Sequence, residues 1–364
     1  MLHININKME VFMKGSKLKN NKRKLLIITI SIVVVLCMLF FTGMLTFKII
    51  NRKSLLNEDN MVITGKNAEG SDISESITYE DKKYKYNSNL VNILVLGIDS
   101  DKNVSQSNLA GEMGQSDAMY LVSVDTKKKT TSILGIPRDS MAEVEVYNYQ
   151  NKLIQIARAQ ITLQYAYGNN CKKSSELSAK TVSNILCRIP INRVCVFNYD
   201  AVSIINDAVG GVEVTFENEF TDESGEIIDP EFIKGNTITL TGEQAGYFLR
   251  ERDCTISESA MDRLSRQEQY ISHLADKMKT VLKKKPWKIV DIVNDLRDKD
   301  CIYTDMSSSE ILYLATIIKK SGLSMDEVVT LPGKVEMGEE YEEYNLDFSE
   351  LRKMVIHYFY KEVK

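Results

Sequence analysis

Charged residues at the ends of three apolar segments are the part of this sequence that could perform chemistry. Asp99 directly follows one such segment, Asp117 directly precedes the next, and Arg138 comes two residues after the third. In an open α/β sheet, ligands bind at the carboxyl ends of the strands, and Asp99 and Arg138 fit that rule. An antiparallel pairing of the first two strands would bring Asp117 to the same edge. The spacing therefore predicts two carboxylates and a guanidinium at one sheet edge.

Arginines form a second group that could bind a ligand. Residues 54–364 contain ten arginines, and four of them fall between residues 250 and 266: Arg250, Arg252, Arg263 and Arg266. The last two are three residues apart, so they share one face of a predicted helix. Guanidinium groups suit phosphate oxygens, and a helix start adds backbone N–H donors. Converging carboxylates and arginines would together suit a divalent cation and a pyrophosphate.

Each of these features also has an ordinary structural explanation. An aspartate beside a strand is often a turn or cap residue, and arginines three apart on a helix commonly form a solvated face. Arg138 and Asp139 could form a local ion pair. A histidine-based zinc site or a Ser-His-Asp triad is hard to build, because the chain has only three histidines and they are not clustered. The spacings of the six cysteines match no metal site and leave disulfide pairing open.

Strand and helix patterns interleave along the chain, which is typical of an α/β domain with helices covering a central sheet. Strands are predicted at residues 90–98, 118–125, 130–136, 193–198 and 212–216. Helices are predicted at residues 176–186, 200–208, 242–250, 262–285, 288–297, 308–321 and 348–360. The patterns do not fix which strands are parallel.

An apolar segment near the N-terminus predicts a membrane anchor. Residues 25–47 contain no charged side chain, and a helix of 23 residues spans the roughly 30 Å hydrocarbon core of a bilayer. A cleaved signal peptide would have a shorter apolar run and a small-residue cleavage site. Six basic residues lie at positions 14–24, just before the segment, and three follow it at positions 48–53, so the N-terminus is expected in the cytoplasm. We therefore expect a single-pass protein of the cell membrane with an extracytoplasmic main domain.

Charge divides the chain into a basic start and an acidic remainder. Residues 1–53 carry a net charge of +9 and residues 54–364 a net charge of −13, which together give −4. We expect a cytoplasmic basic tail at 1–24, a transmembrane helix at 25–47, a linker or stalk at 48–89, the main domain at 90–285 and a C-terminal helical part of that domain at 286–364. The tail is too short for a DNA-binding domain, so no nucleic-acid partner is expected.

Eight short motifs follow one another in the main domain. They are NILVLGID (92–99), QSDAM (115–119), IPRDS (136–140), YAYG (165–168), NDAVGGVEV (206–214), LTGEQA (240–245), RERD (250–253) and DRLSRQ (262–267). In this order, behind one N-terminal apolar segment, they resemble the LytR-CpsA-Psr family of membrane-anchored cell-wall enzymes. The resemblance implies a central mixed β-sheet flanked by helices, with a long apolar pocket for a polyprenyl chain.

The resemblance also implies a reaction. A glycopolymer of the teichoic-acid or capsule type would move from a polyprenyl-pyrophosphate carrier onto a hydroxyl of peptidoglycan. Asp99 and Asp117 match magnesium-binding carboxylates of the family. The positions that match its pyrophosphate-binding residues are Arg138, Arg250, Arg252, Arg263, Arg266 and Gln267. The residues expected to be catalytic are Asp99, Arg138, Arg250 and Arg252, while Asp99 and Asp139 are the two candidates for the general base.

Two positions depart from the family pattern. The family usually reads G-x-D-x-R and R-S-D, and this chain has Asp101 and Gln115 where those arginines would stand. Each lost charge-assisted phosphate contact could cost about 1.5–3 kcal/mol. The departures support a second hypothesis, a non-catalytic, membrane-tethered protein that binds polyprenyl-phosphate lipids or wall polymers. Repeated turnover with a lipid-pyrophosphate donor would distinguish the two hypotheses.

Overall fold

The computed structural model describes residues 38, 40, 42–65, 76–100, 102–218, 226, 229–250, 259–321, 328–338 and 341–363, with the backbone alone at 259–264 and 268. The chain divides into two compact units, Met1–Lys53 and Ser54–Lys364. The predicted tail and most of the predicted transmembrane segment lie outside the described residues. Within the described part, no helix has the length and apolar character needed to span a membrane. The anchor at residues 25–47 therefore stays a prediction.

The larger unit contains fifteen strands among its described residues. They are β1 (Ile77–Tyr79), β2 (Lys82–Tyr86), β3 (Leu90–Ile98), β4 (Ser116–Asp125), β5 (Thr130–Gly135), β6 (Met141–Tyr147), β7 (Leu153–Gln160), β8 (Arg193–Phe197), β9 (Val212–Thr215), β10 (Thr237–Leu240), β11 (Ile302–Thr304), β12 (Val328–Thr330), β13 (Gly333–Met337), β14 (Glu342–Leu346) and β15 (Tyr360–Glu362). The labelled helices are α1 (Leu163–Ala166), α2 (Cys171–Ile185), α3 (Ala201–Ala208), α4 (Gly242–Arg250), α5 (Ser259–Lys284), α6 (Lys288–Asp298), α7 (Ser308–Ser321) and α8 (Phe348–Phe359).

A six-stranded mixed sheet lies at the centre of this unit, in the order β11-β8-β3-β4-β5-β12. β3 pairs parallel with β8 and antiparallel with β4, and β4 pairs antiparallel with β5. The ends of β3, β5 and β8 therefore meet the start of β4 at one edge of the sheet. The predicted mixed sheet flanked by helices is confirmed, and so is the antiparallel pairing that brings Asp117 to the edge of Asp99.

β3 is central because its sequence is apolar on both faces. Seven of its nine residues are buried, as expected for a strand covered by helices on each side. Its one polar residue, Asn92, is fully buried and fixes the strand to its surroundings. The Asn92 amide donates to the Tyr86 hydroxyl at 2.9 Å and to the Pro190 carbonyl at 2.7 Å, and its oxygen accepts from the Ser123 hydroxyl at 2.8 Å.

Residues 48–89, predicted as a linker, are in part built into the larger unit. β2 pairs antiparallel with β15, so this segment forms a sheet with the end of the chain. The Arg193 guanidinium donates to the carbonyls of Ser54 at 3.0 Å and Asn60 at 2.6 Å, which holds the start of the unit against β8. The polar composition of the segment gave no indication of these contacts, because they are made by backbone groups.

The C-terminal part at residues 286–364 contains more than the predicted helices. β11 and β12 form the two edges of the central sheet, and β13 and β14 form a hairpin whose residues Glu343 and Asn345 bind Arg158 of β7. β11 and β12 have three residues each, too few for a strand period to be visible in the sequence. The description of this region as helical is therefore corrected: it is mixed and completes the central sheet.

A second cluster of buried residues joins α4 and α5 to the β9–β10 hairpin. Phe216 stacks on Phe232 at a centroid distance of 4.7 Å and meets Phe248 edge-on at 5.3 Å. Tyr270 of α5 is 1% exposed and donates to the Asn206 side chain at 3.2 Å. This cluster matters for function because it fixes the helix that ends at Arg250.

Candidate active site

Asp117 projects from an irregularity in the sheet. Gly97 pairs with Ala118 and Ile98 with Ser116, so Asp117 is an extra residue in β4 with no opposite residue in β3. Such β-bulges bend a strand and change the direction of a side chain, and they occur often beside active sites. Gly97 permits the close approach, because a Cβ there would lie 3.1 Å from the Ala118 side chain. The Asp117 side chain is 38% exposed at the sheet edge.

Arg138 connects the other groups at this edge. Its Nη1 lies 2.6 Å from Asp117 Oδ1, and its Nε lies 3.5 Å from Asp139 Oδ1. Its Nη2 donates to Gln115 Oε1 at 3.5 Å. The turn that carries it is fixed by a bond from the Thr162 N–H to the Arg138 carbonyl at 3.2 Å. One guanidinium thus contacts two carboxylates and an amide while 40% of its surface stays exposed to a ligand.

Asp99 lies on the same edge, across from the segment that leads into β4. Its backbone N–H donates to the Gln115 carbonyl at 2.9 Å, which continues the β3–β4 pairing by one step. Gly114 makes the approach possible: its φ is +85°, and a Cβ there would lie 3.2 Å from the Asp99 carbonyl. The Asp99 side chain is exposed.

Arg250 reaches this edge from the end of α4. Its guanidinium carbon lies 4.1 Å from the centroid of the Tyr199 ring, a cation–π contact. Tyr199 follows β8, and its backbone N–H donates to the Ser100 carbonyl at 3.4 Å. The stacking therefore places the exposed Arg250 beside the loop that begins with Asp99.

Arg266 and Gln267 hold the end of α4. Arg266 Nη1 donates to the Phe248 carbonyl at 2.6 Å, and Gln267 Nε2 donates to the Leu249 carbonyl at 3.1 Å. Carbonyls at a helix end have no partner within the helix, so these side chains supply one. This arrangement fixes the two residues that precede Arg250. Both side chains are also partly exposed, and their predicted part in binding pyrophosphate stays a prediction.

The structure places Asp99, Asp117 and Arg138 at one sheet edge, as their spacing predicted, and it places Arg250 beside the same edge through Tyr199. Arg252 lies outside the described residues, and for Arg263 only the backbone, within α5, is described. Tyr165 of the YAYG motif is fully buried in the core, and burial raises its pKa well above the usual range. Tyr165 is therefore a neutral packing residue.

Three further residues shape this edge and were not predicted to do so. Thr162 donates through its hydroxyl to Asp117 Oδ1 at 3.4 Å. Tyr199 orients Arg250, and Gln115, noted in the sequence only as a missing arginine, accepts a bond from Arg138. An arginine at position 115 could not accept that bond, and its positive charge would repel Arg138. Gln115 instead provides an oxygen that accepts the bond from Arg138. An aromatic residue just after a strand was the only sequence signal for Tyr199.

The donor chemistry at this edge fits an open Mg²⁺ site. Mg²⁺ is commonly held by one or two carboxylates, with waters and substrate phosphates completing its shell. Asp99 and Asp117 provide two exposed carboxylates on paired segments. Among the described residues, no group of three or more His, Cys, Asp or Glu side chains could enclose a metal ion. An ion held by these two carboxylates would keep coordination positions for waters and phosphate oxygens.

This chain is similar to known proteins both in a family model and in curated sequences. The model of the LytR_cpsA_psr family matches residues 60–357. The chain is 28% identical over 195 residues to the polyisoprenyl-teichoic acid–peptidoglycan teichoic acid transferase TagT of Bacillus subtilis, which covers 52% of this chain and 53% of TagT. It is 33% identical over 162 residues to the transferase TagU of Bacillus anthracis, which covers 44% of each chain. This chain thus spans about half the length of the curated relatives it matches.

The fold has counterparts among solved structures. The crystal structure of B. subtilis TagV matches with a TM-score of 0.51 and 24% identity, over 74% of this chain and 96% of that chain. That likeness agrees with the mixed sheet flanked by helices. The family match begins at Asn60, ends within α8, and includes every described residue of the sheet edge. The chain belongs to the LytR-CpsA-Psr family.

Proposed function

We propose that this protein is a membrane-anchored phosphotransferase that moves a polyprenyl-pyrophosphate-linked glycopolymer, of the teichoic-acid or capsule type, onto a hydroxyl of peptidoglycan. The main support is the convergence of Asp99, Asp117, Arg138 and Arg250 at one sheet edge. These residues come from four separate chain segments, and packing of the core alone does not require them to meet. The names of TagT and TagU, polyisoprenyl-teichoic acid–peptidoglycan teichoic acid transferases, agree with this substrate class.

The charges at the site suit phosphoryl transfer. A peptidoglycan hydroxyl attacks the phosphorus that carries the polymer, and a new phosphorus–oxygen bond forms. The bond from that phosphorus to the bridging oxygen breaks, and polyprenyl phosphate leaves with the electron pair. Positioning and charge neutralisation provide most of the catalysis of such reactions. Arg138 and Arg250 would hold the pyrophosphate oxygens, and Asp99 or Asp139 would accept the proton of the attacking hydroxyl.

Asp99 and Asp117 are the proposed ligands of Mg²⁺. The bound ion would supply further neutralisation of the pyrophosphate charge. Arg138 would then share Asp117 with the ion, which keeps the carboxylate oriented by the guanidinium and by the Thr162 hydroxyl. The long apolar pocket implied for the polyprenyl chain is part of the same proposal.

The anchor at residues 25–47 completes the proposal. It would place the larger unit on the outer side of the cell membrane, where a lipid-linked polymer and peptidoglycan are both within reach. The apolar length of the segment and the excess of basic residues before it support this topology.

The test is identification of the product. The full chain in detergent is incubated with a polyprenyl-pyrophosphate-linked saccharide and peptidoglycan fragments, with and without Mg²⁺. Mass spectrometry should detect the saccharide joined to the fragment through a phosphodiester. Binding of the lipid without any joined product, across several donors, would contradict the proposal and support the non-catalytic binding protein.

A further inference from the structure

A run of lysines lies on a unit that is otherwise acidic. Residues 277–290 contain six lysines and no acidic residue, although residues 54–364 carry a net charge of −13. The six are Lys277, Lys279, Lys283, Lys284, Lys285 and Lys288. The single tryptophan of the chain, Trp287, lies within this run.

A second helix end adds to the run in three dimensions. α5 ends at Lys284 and α7 ends at Ser321, and the two ends are in contact. The Lys319 ammonium donates to the Lys283 carbonyl at 2.8 Å. Lys319 and Lys320 are thereby brought beside the lysines that close α5. We call this area the lysine–tryptophan surface, and it consists of Lys283, Lys284, Lys285, Trp287, Lys288, Lys319 and Lys320.

The surface is open to solvent. Five of its six lysines are exposed, the exception being the half-buried Lys288, and Trp287 is 57% exposed. Lysines in the last turn of a helix favour the negative end of its dipole, which accounts for those inside α5 and α7. Lys285 and Lys288 lie beyond the end of α5, and an exposed indole gains nothing from a helix dipole. Helix stabilisation therefore does not explain the whole surface.

We propose that the lysine–tryptophan surface rests on an anionic lipid bilayer. Each lysine near an anionic membrane strengthens binding by about fivefold. The tryptophan ring is enriched at the boundary between lipid and water, where its apolar body and its N–H group are both accommodated. A phosphate polymer would use only the cations, whereas a bilayer interface also takes up the exposed indole. This inference is independent of the proposed phosphotransfer.

The chain contains its own probe for the test. Trp287 is the only tryptophan, so tryptophan fluorescence of the full chain reports on this surface alone. The full chain is placed in lipid nanodiscs with a tryptophan-free scaffold, made of phosphatidylcholine or of phosphatidylcholine mixed with phosphatidylglycerol. In the anionic discs we expect a shift of the emission to shorter wavelength and a severalfold lower quenching by acrylamide. High salt should reverse both effects, because it screens the attraction.

Matched variants distinguish an effect of this surface from an effect of the total charge of the protein. The variant Lys283→Gln/Lys284→Gln/Lys285→Gln should lose the shift, whereas the control Lys83→Gln/Lys127→Gln/Lys128→Gln, which loses the same charge from exposed lysines elsewhere, should keep it. Equal emission of the unaltered chain in neutral and anionic discs would overturn the proposal. Loss of the emission shift to the same extent in the surface variant and in the control variant would also overturn it. A shift caused by soluble polyglycerol phosphate, but not by anionic discs, would overturn it in favour of a wall polymer.

Discussion

At the scale of single residues, Arg138 determines the geometry of the candidate site. It contacts Asp117, Asp139 and Gln115 from three different directions. A planar guanidinium has five N–H donors, so it can bind these three partners and keep donors for a ligand. Gln115 stands where the family usually has an arginine, and it accepts a hydrogen bond from Arg138 there.

Replacement of Arg138 should weaken both binding and transfer. We expect Arg138→Ala to lower the rate of transfer by about a hundredfold or more, the usual effect of removing one group that stabilises a transition state. Arg138→Lys should recover little, because an ammonium cannot reproduce the forked contacts. The measurement is the transfer rate at saturating donor, together with donor affinity.

Arg158→Ala is the matched control for Arg138. Arg158 is also an exposed arginine paired with a carboxylate, Glu343, but it lies on β7, which is outside the central sheet. Its removal should cost no more than about 1 kcal/mol of stability, as for other surface pairs, and should leave the rate unchanged. Equal loss of activity in both variants would show that Arg138 acts through general folding.

Residue types and spacing were enough to predict that Asp99, Asp117 and Arg138 lie at one sheet edge, because each stands at or near the end of a recognisable strand. The orientation of Asp117 could not be predicted. It depends on a β-bulge at Asp117, between the pairs Gly97–Ala118 and Ile98–Ser116, and the apolar pattern of the sequence does not indicate that bulge. The contact of Tyr199 with Arg250 joins residues about 50 positions apart, and one sequence does not reveal such a pair.

At the scale of elements, the turn before β4 decides how the two carboxylates approach each other. Gly114→Ala should destabilise the protein by about 1–2 kcal/mol for the left-handed backbone alone. The added Cβ would also press on the Asp99 carbonyl at 3.2 Å and reduce transfer. Gly111→Ala is the control, because its φ is also positive, +100°, but a Cβ there meets nothing within 4 Å. Thermal unfolding should shift in both variants, and activity should fall further in Gly114→Ala.

A buried ion pair fixes the start of the unit to β8 and α7. Arg193 Nη2 lies 2.9 Å from Glu310 Oε1, and the two side chains are 3% and 7% exposed. Glu310 also accepts from the Ser307 backbone N–H at 2.9 Å, while Ser307 Oγ accepts from the Glu310 N–H at 3.3 Å. This reciprocal capping box begins α7.

The Arg193–Glu310 pair should make stability depend on pH. Burial alone would raise the pKa of Glu310, but bonds from Ser307 and Arg193 outweigh it and hold the pKa below its usual value. The contribution of Glu310 is therefore complete above its unfolded pKa, near 4.3, and is lost as pH falls through the lower folded value. Glu310→Gln should cost about 3 kcal/mol or more at pH 7, because it leaves a buried arginine unpaired. Urea denaturation at several pH values measures the free energy of unfolding of the unaltered protein and of Glu310→Gln. The difference between the two free energies should become smaller in acid, and a difference that stays constant with pH would contradict the proposed role of Glu310.

Long apolar elements were predictable, and short or surface elements were not. β3 and α7 have enough residues to show a period, and their bounds agree with the predictions. The β6–β7 hairpin was missed because β7 is largely exposed and lacks a buried face. β2 and β15 pair across some 280 residues, a contact that the sequence pattern does not encode.

At the scale of the whole molecule, the proposed anchor, the proposed catalytic edge and the proposed lipid-binding surface would all act at the membrane. The anchor is tested by membrane extraction of the full chain after an alkaline carbonate wash. We expect the full chain to stay in the membrane fraction, because an apolar helix of residues 25–47 would span the bilayer. Release of the full chain by carbonate would contradict the anchor while leaving the site intact.

The number of turnovers per protein molecule is the most direct test of the proposed transferase activity. Polyprenyl phosphate released per molecule of full-length protein is measured over time, with a lipid-pyrophosphate saccharide as donor and peptidoglycan fragments as acceptor. The proposal predicts many releases per protein molecule, each matched by one joined product, and release that is slower by about a hundredfold or more in Arg138→Ala. Release of no more than one polyprenyl phosphate per protein molecule, from a folded chain that binds the donor, would contradict a transferase.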